Sequence, residues 1–176
     1  MSQELDFLSR NKLAASLLVA ASLVSPAFAD AADCRQADAI YADRDGAYEL
    51  RFEPLGSESA AASNQFKISV ARTAMVMDGY VMASDDPDRS NGILMFRCPE
   101  GDATGDDLRA CTIWQGGVYG ADAQGTLGNL PGETAGAADR VLLAGLGPAI
   151  RESSIWGKGK ATVAPWDVLT FKGCAK

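Results

Sequence analysis

The 176-residue chain contains no histidine. That absence excludes a Ser-His-Asp or Cys-His catalytic set and any imidazole general base. It also excludes His-ligated zinc, haem and non-haem iron. The cysteines stand at Cys34, Cys98, Cys111 and Cys174, so no C-x-x-C pair exists for redox chemistry or a zinc knuckle. No G-x-x-x-x-G-K-[ST] loop is present, and Gly145-Leu146-Gly147-Pro148 lacks the third glycine of a dinucleotide fingerprint. Long apolar runs are missing too. The stretch from Leu13 to Val24 falls well short of the roughly 20 residues a membrane helix needs, and no other run is long enough, so no membrane span is expected. Positive charge is scarce: 16 Lys and Arg stand against 23 Asp and Glu, a net charge of −7. Nucleic-acid phosphates and anionic membrane surfaces both demand a basic face, so neither is an expected partner.

What is present fits one ordinary folded domain, at 47% hydrophobic and 22% charged residues. Arg10 and Lys12 precede the apolar stretch, Ser25-Pro26 breaks it, and Ala27-Phe28-Ala29 offers the small residues of a cleavage site. This pattern predicts a cleaved secretory signal over 1–29 and a single β-rich domain over 30–176, exported to the periplasm or beyond. Its removal leaves the net charge unchanged, because Glu4 and Asp6 leave with Arg10 and Lys12. Four cysteines in an exported chain indicate two disulfides, with three possible pairings. We expect Cys98–Cys111, which closes a short Gly- and Asp-rich loop, and Cys34–Cys174, which ties the two ends of the domain together.

Strand signals dominate. Phe66, Ile68 and Val70 alternate with Lys67, Ser69 and Ala71, the pattern of a half-buried strand. Residues 47–53, 93–98, 111–119, 126–130, 140–146, 161–164 and 168–172 read as further strands. Asp78-Gly79 between β-formers predicts a type I′ hairpin turn. Residues 84–92 read as a turn-rich acidic connection, 56–64 as a loop, and 34–45 as a short helix or irregular arm. Gly116-Gly117 marks a bulge or a close backbone approach. Pro148 suits the first turn of a short helix ending near Glu152. Trp114 is expected in the core. Turn signals about every ten residues predict a mostly β fold. It is an antiparallel β-sandwich or small β-barrel of about eight short strands, with little helix and two disulfide staples.

Few segments carry chemistry. Asp86, Asp88 and Ser90 begin like a calcium loop, but the required glycine and glutamate fall out of place. Glu100, Asp102, Asp106 and Asp107 have ligand atoms without a pattern. No metal or cofactor is therefore expected. Glu49, Glu53, Glu100, Glu133 and Glu152 supply carboxylates for a hydrolase, yet nothing in their spacing pairs two of them. Ser153 and Ser154 lack the S-x-x-K spacing to Lys158 or Lys160. The segment SSIWGKGK is more distinctive. Arg151, Ser153, Ser154, Trp156, Lys158 and Lys160 form a basic, aromatic stretch on an acidic protein, and these six are the candidate binding residues. Tryptophan commonly anchors interfaces.

Trp156-Gly157-Lys158-Gly159, followed by Ala161, Val163 and the terminal Cys174, resembles the W-x-K-G…A-x-L stretch of periplasmic C-type lysozyme inhibitors. The likeness spans about eight residues. Its insert is one residue shorter, and Arg151-Glu152-Ser153-Ser154 lacks the tyrosine of the family's upstream segment. The resemblance implies a small disulfide-stapled barrel that contacts lysozyme through residues 153–160. A basic partner of that kind would also be drawn by the −7 charge. The expected function is thus a non-enzymatic, periplasmic or secreted binding or inhibitor protein acting through surface loops. The alternatives are a structural envelope protein without a discrete ligand, or a carboxylate-based hydrolase.

Overall fold

The computed structural model describes residues 31–56, 61–101 and 103–175. The signal predicted over 1–29 lies outside the described residues, as does 57–60 within the predicted loop 56–64. The described chain forms β1 (Ala39–Asp43), β2 (Tyr48–Glu53), β3 (Asn64–Val70), β4 (Val76–Asp85) and β5 (Asp88–Met95). Helix α1 (Gly105–Cys111) leads into β6 (Thr112–Ala121), β7 (Leu127–Asn129) and β8 (Arg140–Leu143). Helix α2 (Leu146–Glu152) and β9 (Val168–Cys174) complete it.

Among the described residues all strand-to-strand pairings are antiparallel, and the sheet closes on itself. Each of β1 to β6 pairs with the next, β6 pairs with β8, β8 with β9, and β9 with β1. Eight strands make a closed barrel, and β7 adds to the edge of β6 beyond β5. The expected fold class is therefore resolved as a barrel rather than a sandwich. Closure leaves no long unpaired edge.

Alternation sends every second side chain inward. Along β3 the buried set is Asn64, Phe66, Ile68 and Val70, and along β2 it is Tyr48, Leu50 and Phe52. Tyr41, Met77, Leu94, Trp114, Val118, Leu143 and Leu169 complete a packed interior. Tyr41 meets Phe52 and Phe171 edge-on, each with ring centroids 5.8 Å apart. The lumen is core, filled by these chains.

Several local expectations change in the folded chain. Residues 34–45 hold a 3-10 turn, Gln36–Asp38, and then β1 rather than a helix or irregular arm. Asp78-Gly79 lies inside β4, and the chain instead reverses at 71–75 and at Asp86-Pro87. The glycine has a packing cause. Gly79 is the register partner of Phe66, and a Cβ there would sit 2.2 Å from that ring. Most of 84–92 is strand, not connection. Inside the 99–110 loop, α1 starts on a capping box, with the Thr104 hydroxyl and the Asp107 backbone and side chain bonded reciprocally. Residues 161–164 form no strand, only an isolated bridge from Ala161 to Trp156.

Other expectations hold. Trp114 is buried, and its ring lies where a Cβ on Gly92 or Gly116 would stand, 2.8 Å away. Gly92 and Gly116 thus admit the indole, and the close approach at Gly117 is to the Tyr119 ring. Both expected disulfides are present: Cys34–Cys174 spans 140 residues and Cys98–Cys111 spans 13.

Loop length ranks the two bridges. In the chain-entropy picture the long one contributes about 5 kcal/mol and the short one about 3 kcal/mol. Urea unfolding of the Cys34→Ser/Cys174→Ser pair is expected to show the larger loss. A larger loss in the Cys98→Ser/Cys111→Ser pair would contradict that ranking. Gly79→Ala is expected to cost about 1–3 kcal/mol, because the Phe66 ring has no room to yield. A neutral result in the same assay would remove the packing role given to Gly79.

Candidate functional site

In an up-and-down barrel, alternate connections gather at one end. Here the β1–β2, β3–β4, β5–β6 and β8–β9 connections share an end, and the Cys34–Cys174 bridge marks the other. A groove of about 610 Å³ opens among those four connections. It is lined by 45–48, by 70–75, by Arg97 and by residues Gly159, Lys160, Thr162 and Val163.

The β8–β9 connection is a belt across the barrel mouth, fixed at successive points. Leu146 and Ile150 of α2 are buried, as is Ile155 beyond it. The Asp167 carboxylate accepts from the Gly145 N–H at 2.7 Å and the Gly147 N–H at 3.0 Å. It thereby satisfies free donors at the start of α2. The Tyr48 hydroxyl donates to the Val163 carbonyl at 2.7 Å, tying the belt to β2. Next to this clip stands Trp166, 48% exposed. Its indole N–H donates to Asp45 Oδ2 at 2.9 Å, and the Arg44 guanidinium lies 4.0 Å from its ring centroid. An aromatic face is thus held rigid in solvent beside the groove, with its polar edge already paired.

The six residues expected from sequence all fall in this belt, but they do not share one role. Lys160 lines the groove, and its ammonium donates to the Ser154 carbonyl at 2.6 Å. Arg151 stands 5.8 Å from the Trp156 ring centroid. Trp156 is half-buried and packs against the core, while Lys158 is exposed. The Ser153 hydroxyl donates to the Ile150 carbonyl at 2.7 Å, ending α2. Left-handed Gly157 and Gly159 let the loop turn back, so that the Ala161 N–H reaches the Ile155 carbonyl at 3.0 Å.

Four residues central to the site were not singled out from sequence: Trp166, Asp45, Arg72 and Arg97. Arg72 has φ 61° and Arg97 φ 54°, the only non-glycine residues with positive φ among those described. Both line the groove. No sequence signal marks them, since left-handed backbone is expected of glycine and asparagine.

Three of the five carboxylates considered for hydrolysis, Glu49, Glu53 and Glu133, have polar partners. Glu49 lies 2.9 Å from the Lys172 ammonium and 3.5 Å from Arg51. The Lys172 hydrogen bond holds its carboxyl below the usual range. Glu53 faces Lys67, and Glu133 accepts from the Leu55 N–H. Among the described residues no cluster of three or more Asp, Glu or Cys is placed to hold a metal ion. Asp88 accepts from Asn129 instead, and Asp106 pairs with Arg109. Nor is any described helix long and apolar enough to cross a membrane.

Comparison with known protein families, with curated proteins and with solved structures found no match.

The Tyr48 clip gives a measurable pH effect. Burial, with the nearby Asp43 charge, pushes the Tyr48 hydroxyl up to about 12. Unfolded tyrosine ionises near pH 10, so unfolding is favoured by deprotonation above that pH. The contribution is complete below about pH 10 and lost as pH rises toward 12. Tyr48→Phe is expected to flatten part of the alkaline fall in stability, measured by denaturant unfolding from pH 9 to 12. An unchanged alkaline slope would show that Tyr48 does not carry it.

Proposed function

We propose that the protein is an exported, non-enzymatic binding or inhibitor module that holds a protein partner through the loops at one end of its barrel. The observation that carries this reading is Trp166, exposed yet fixed by Asp45 and Arg44 beside a groove built from four connections. A tryptophan with its rotamer already chosen loses little freedom on binding, and such residues dominate interface energetics. A packed lumen argues against a ligand held inside the barrel and turns recognition to its surface. The leader pattern in 1–29 and two formed disulfides support export into an oxidising space such as the periplasm. The resemblance around Trp156 makes a C-type lysozyme the first partner to test, and the barrel has the architecture that resemblance implies.

The experiment immobilises the oxidised protein and presents C-type lysozyme and, separately, a periplasmic extract. Retained proteins are identified by mass spectrometry. A single saturable partner is expected, with affinity lowered at least about tenfold in Trp166→Ala at unchanged Tm. Trp156→Ala is expected to lower Tm as well, because that side chain is partly buried against the core. Retention of no protein from either source would overturn the binding reading. Retention from the extract but not of lysozyme would overturn the lysozyme assignment alone.

A further inference from the structure

The groove is positive on a negative protein. Arg72, Arg97 and Lys160 line it, in a chain of net charge −7. Asp45 is the one carboxylate among the lining residues, and it is already occupied by the Trp166 N–H and by Arg44, 3.6 Å away. Among the described residues none of the three cations is paired with a carboxylate. Arg72 has no ion-pair or hydrogen-bond partner for its guanidinium among the described residues. Arg97 rests 5.0 Å from the centroid of the Phe96 ring, and Lys160 meets only a neutral carbonyl. Solvated surface arginines ordinarily sit on relaxed backbone. Here both arginines occupy left-handed backbone that costs a non-glycine residue about 1–3 kcal/mol. Two such residues, from hairpins 25 positions apart in sequence, converge on one groove.

The geometry points to an acidic, extended segment of a partner protein as the occupant of this groove, its carboxylates met by Arg72, Arg97 and Lys160. This rests on the protein-binding reading above, not on the lysozyme assignment, and names the chemistry that the site selects. Guanidinium forks match carboxylates in two-point contacts, which gives orientation as well as attraction. Between the charges the lining is apolar or small, with Ala47, Val70, Ala74, Met75 and Val163. That floor suits the stems and small side chains of a peptide. A volume of about 610 Å³ admits a few residues of extended chain and not a folded domain. Thr162 adds a hydroxyl to the same wall, whereas the Thr73 hydroxyl is held by the Val70 carbonyl and the Met75 N–H.

The test titrates the oxidised protein into a fluorescein-labelled Glu-Ala octapeptide and reads anisotropy. Gln-Ala and Lys-Ala octapeptides and inorganic phosphate serve as comparisons. Saturable, salt-weakened binding of the Glu-Ala peptide alone is expected. Arg72→Gln and Arg97→Gln are each expected to weaken it about tenfold. Arg72→Gly and Arg97→Gly are expected to lose the same affinity while Tm stays level or rises, because glycine accepts the left-handed backbone. Arg89→Gln makes the same charge change at the opposite end of the barrel and is expected to leave binding intact. Equal binding of the Gln-Ala peptide, or full binding by the Arg72 and Arg97 variants, would overturn the inference. So would phosphate binding as tightly as the peptide, which would make the groove a small-anion pocket. If the peptide fails while a partner is still captured through Trp166, only the acidic-segment inference falls. If the peptide binds and no protein is captured, the groove chemistry stands and the protein-partner reading falls.

Discussion

Pairing of the first strand with the last is the constraint on which the rest of the molecule depends. β1 and β9 make register pairs from Ala39–Cys174 to Asp43–Leu169, and the Cys34–Cys174 bridge lies immediately beyond that seam. Without the pairing the sheet is an open ribbon with two exposed edges, and its inward faces have nothing to pack against. With it, Tyr41 and Phe171 from the two seam strands meet edge-on in the interior. The same closure draws four connections together at the opposite end, which is what builds the groove.

Filling the lumen sets the second constraint. Large rings need an absent side chain across from them, and glycine supplies it at Gly79 for Phe66 and at Gly92 and Gly116 for Trp114. Trp114 also donates its indole N–H to the Ala144 carbonyl at 2.9 Å, joining the core to the start of the β8–β9 belt. The belt is therefore anchored from below by Trp114, from the side by Tyr48, and at its end by Asp167. Rigid loops of this kind present a shape rather than acquire one, and the ordering cost of binding falls accordingly. Strained Arg72 and Arg97 persist because paired strands on either side determine the backbone between them.

Much of this was legible in the residues. Alternation at Phe66, Ile68 and Val70 located a strand because one face of it is buried. Loop length and the position of the chain ends were enough to pair the cysteines. Asp78-Gly79 was misleading because its glycine answers a ring on the neighbouring strand, and that neighbour is known only once the register is known. Helix α1 did leave a trace, in the spacing of Thr104 and Asp107, inside a segment whose glycines and aspartates looked like loop. The belt around Trp156 stood out because its unusual residues are adjacent in sequence. Trp166 did not, since its exposure is set by Asp45, 121 residues away. Arg72 and Arg97 were silent for a similar reason: their backbone angles and their convergence are products of topology.

Recognition through the four-connection end of the barrel can be read by hydrogen–deuterium exchange of the oxidised protein, with and without its captured partner. New protection is expected at 44–48, 71–75, 96–98 and 153–167 alone. Protection confined instead to the opposite end, at 86–88 and 122–139, would contradict it.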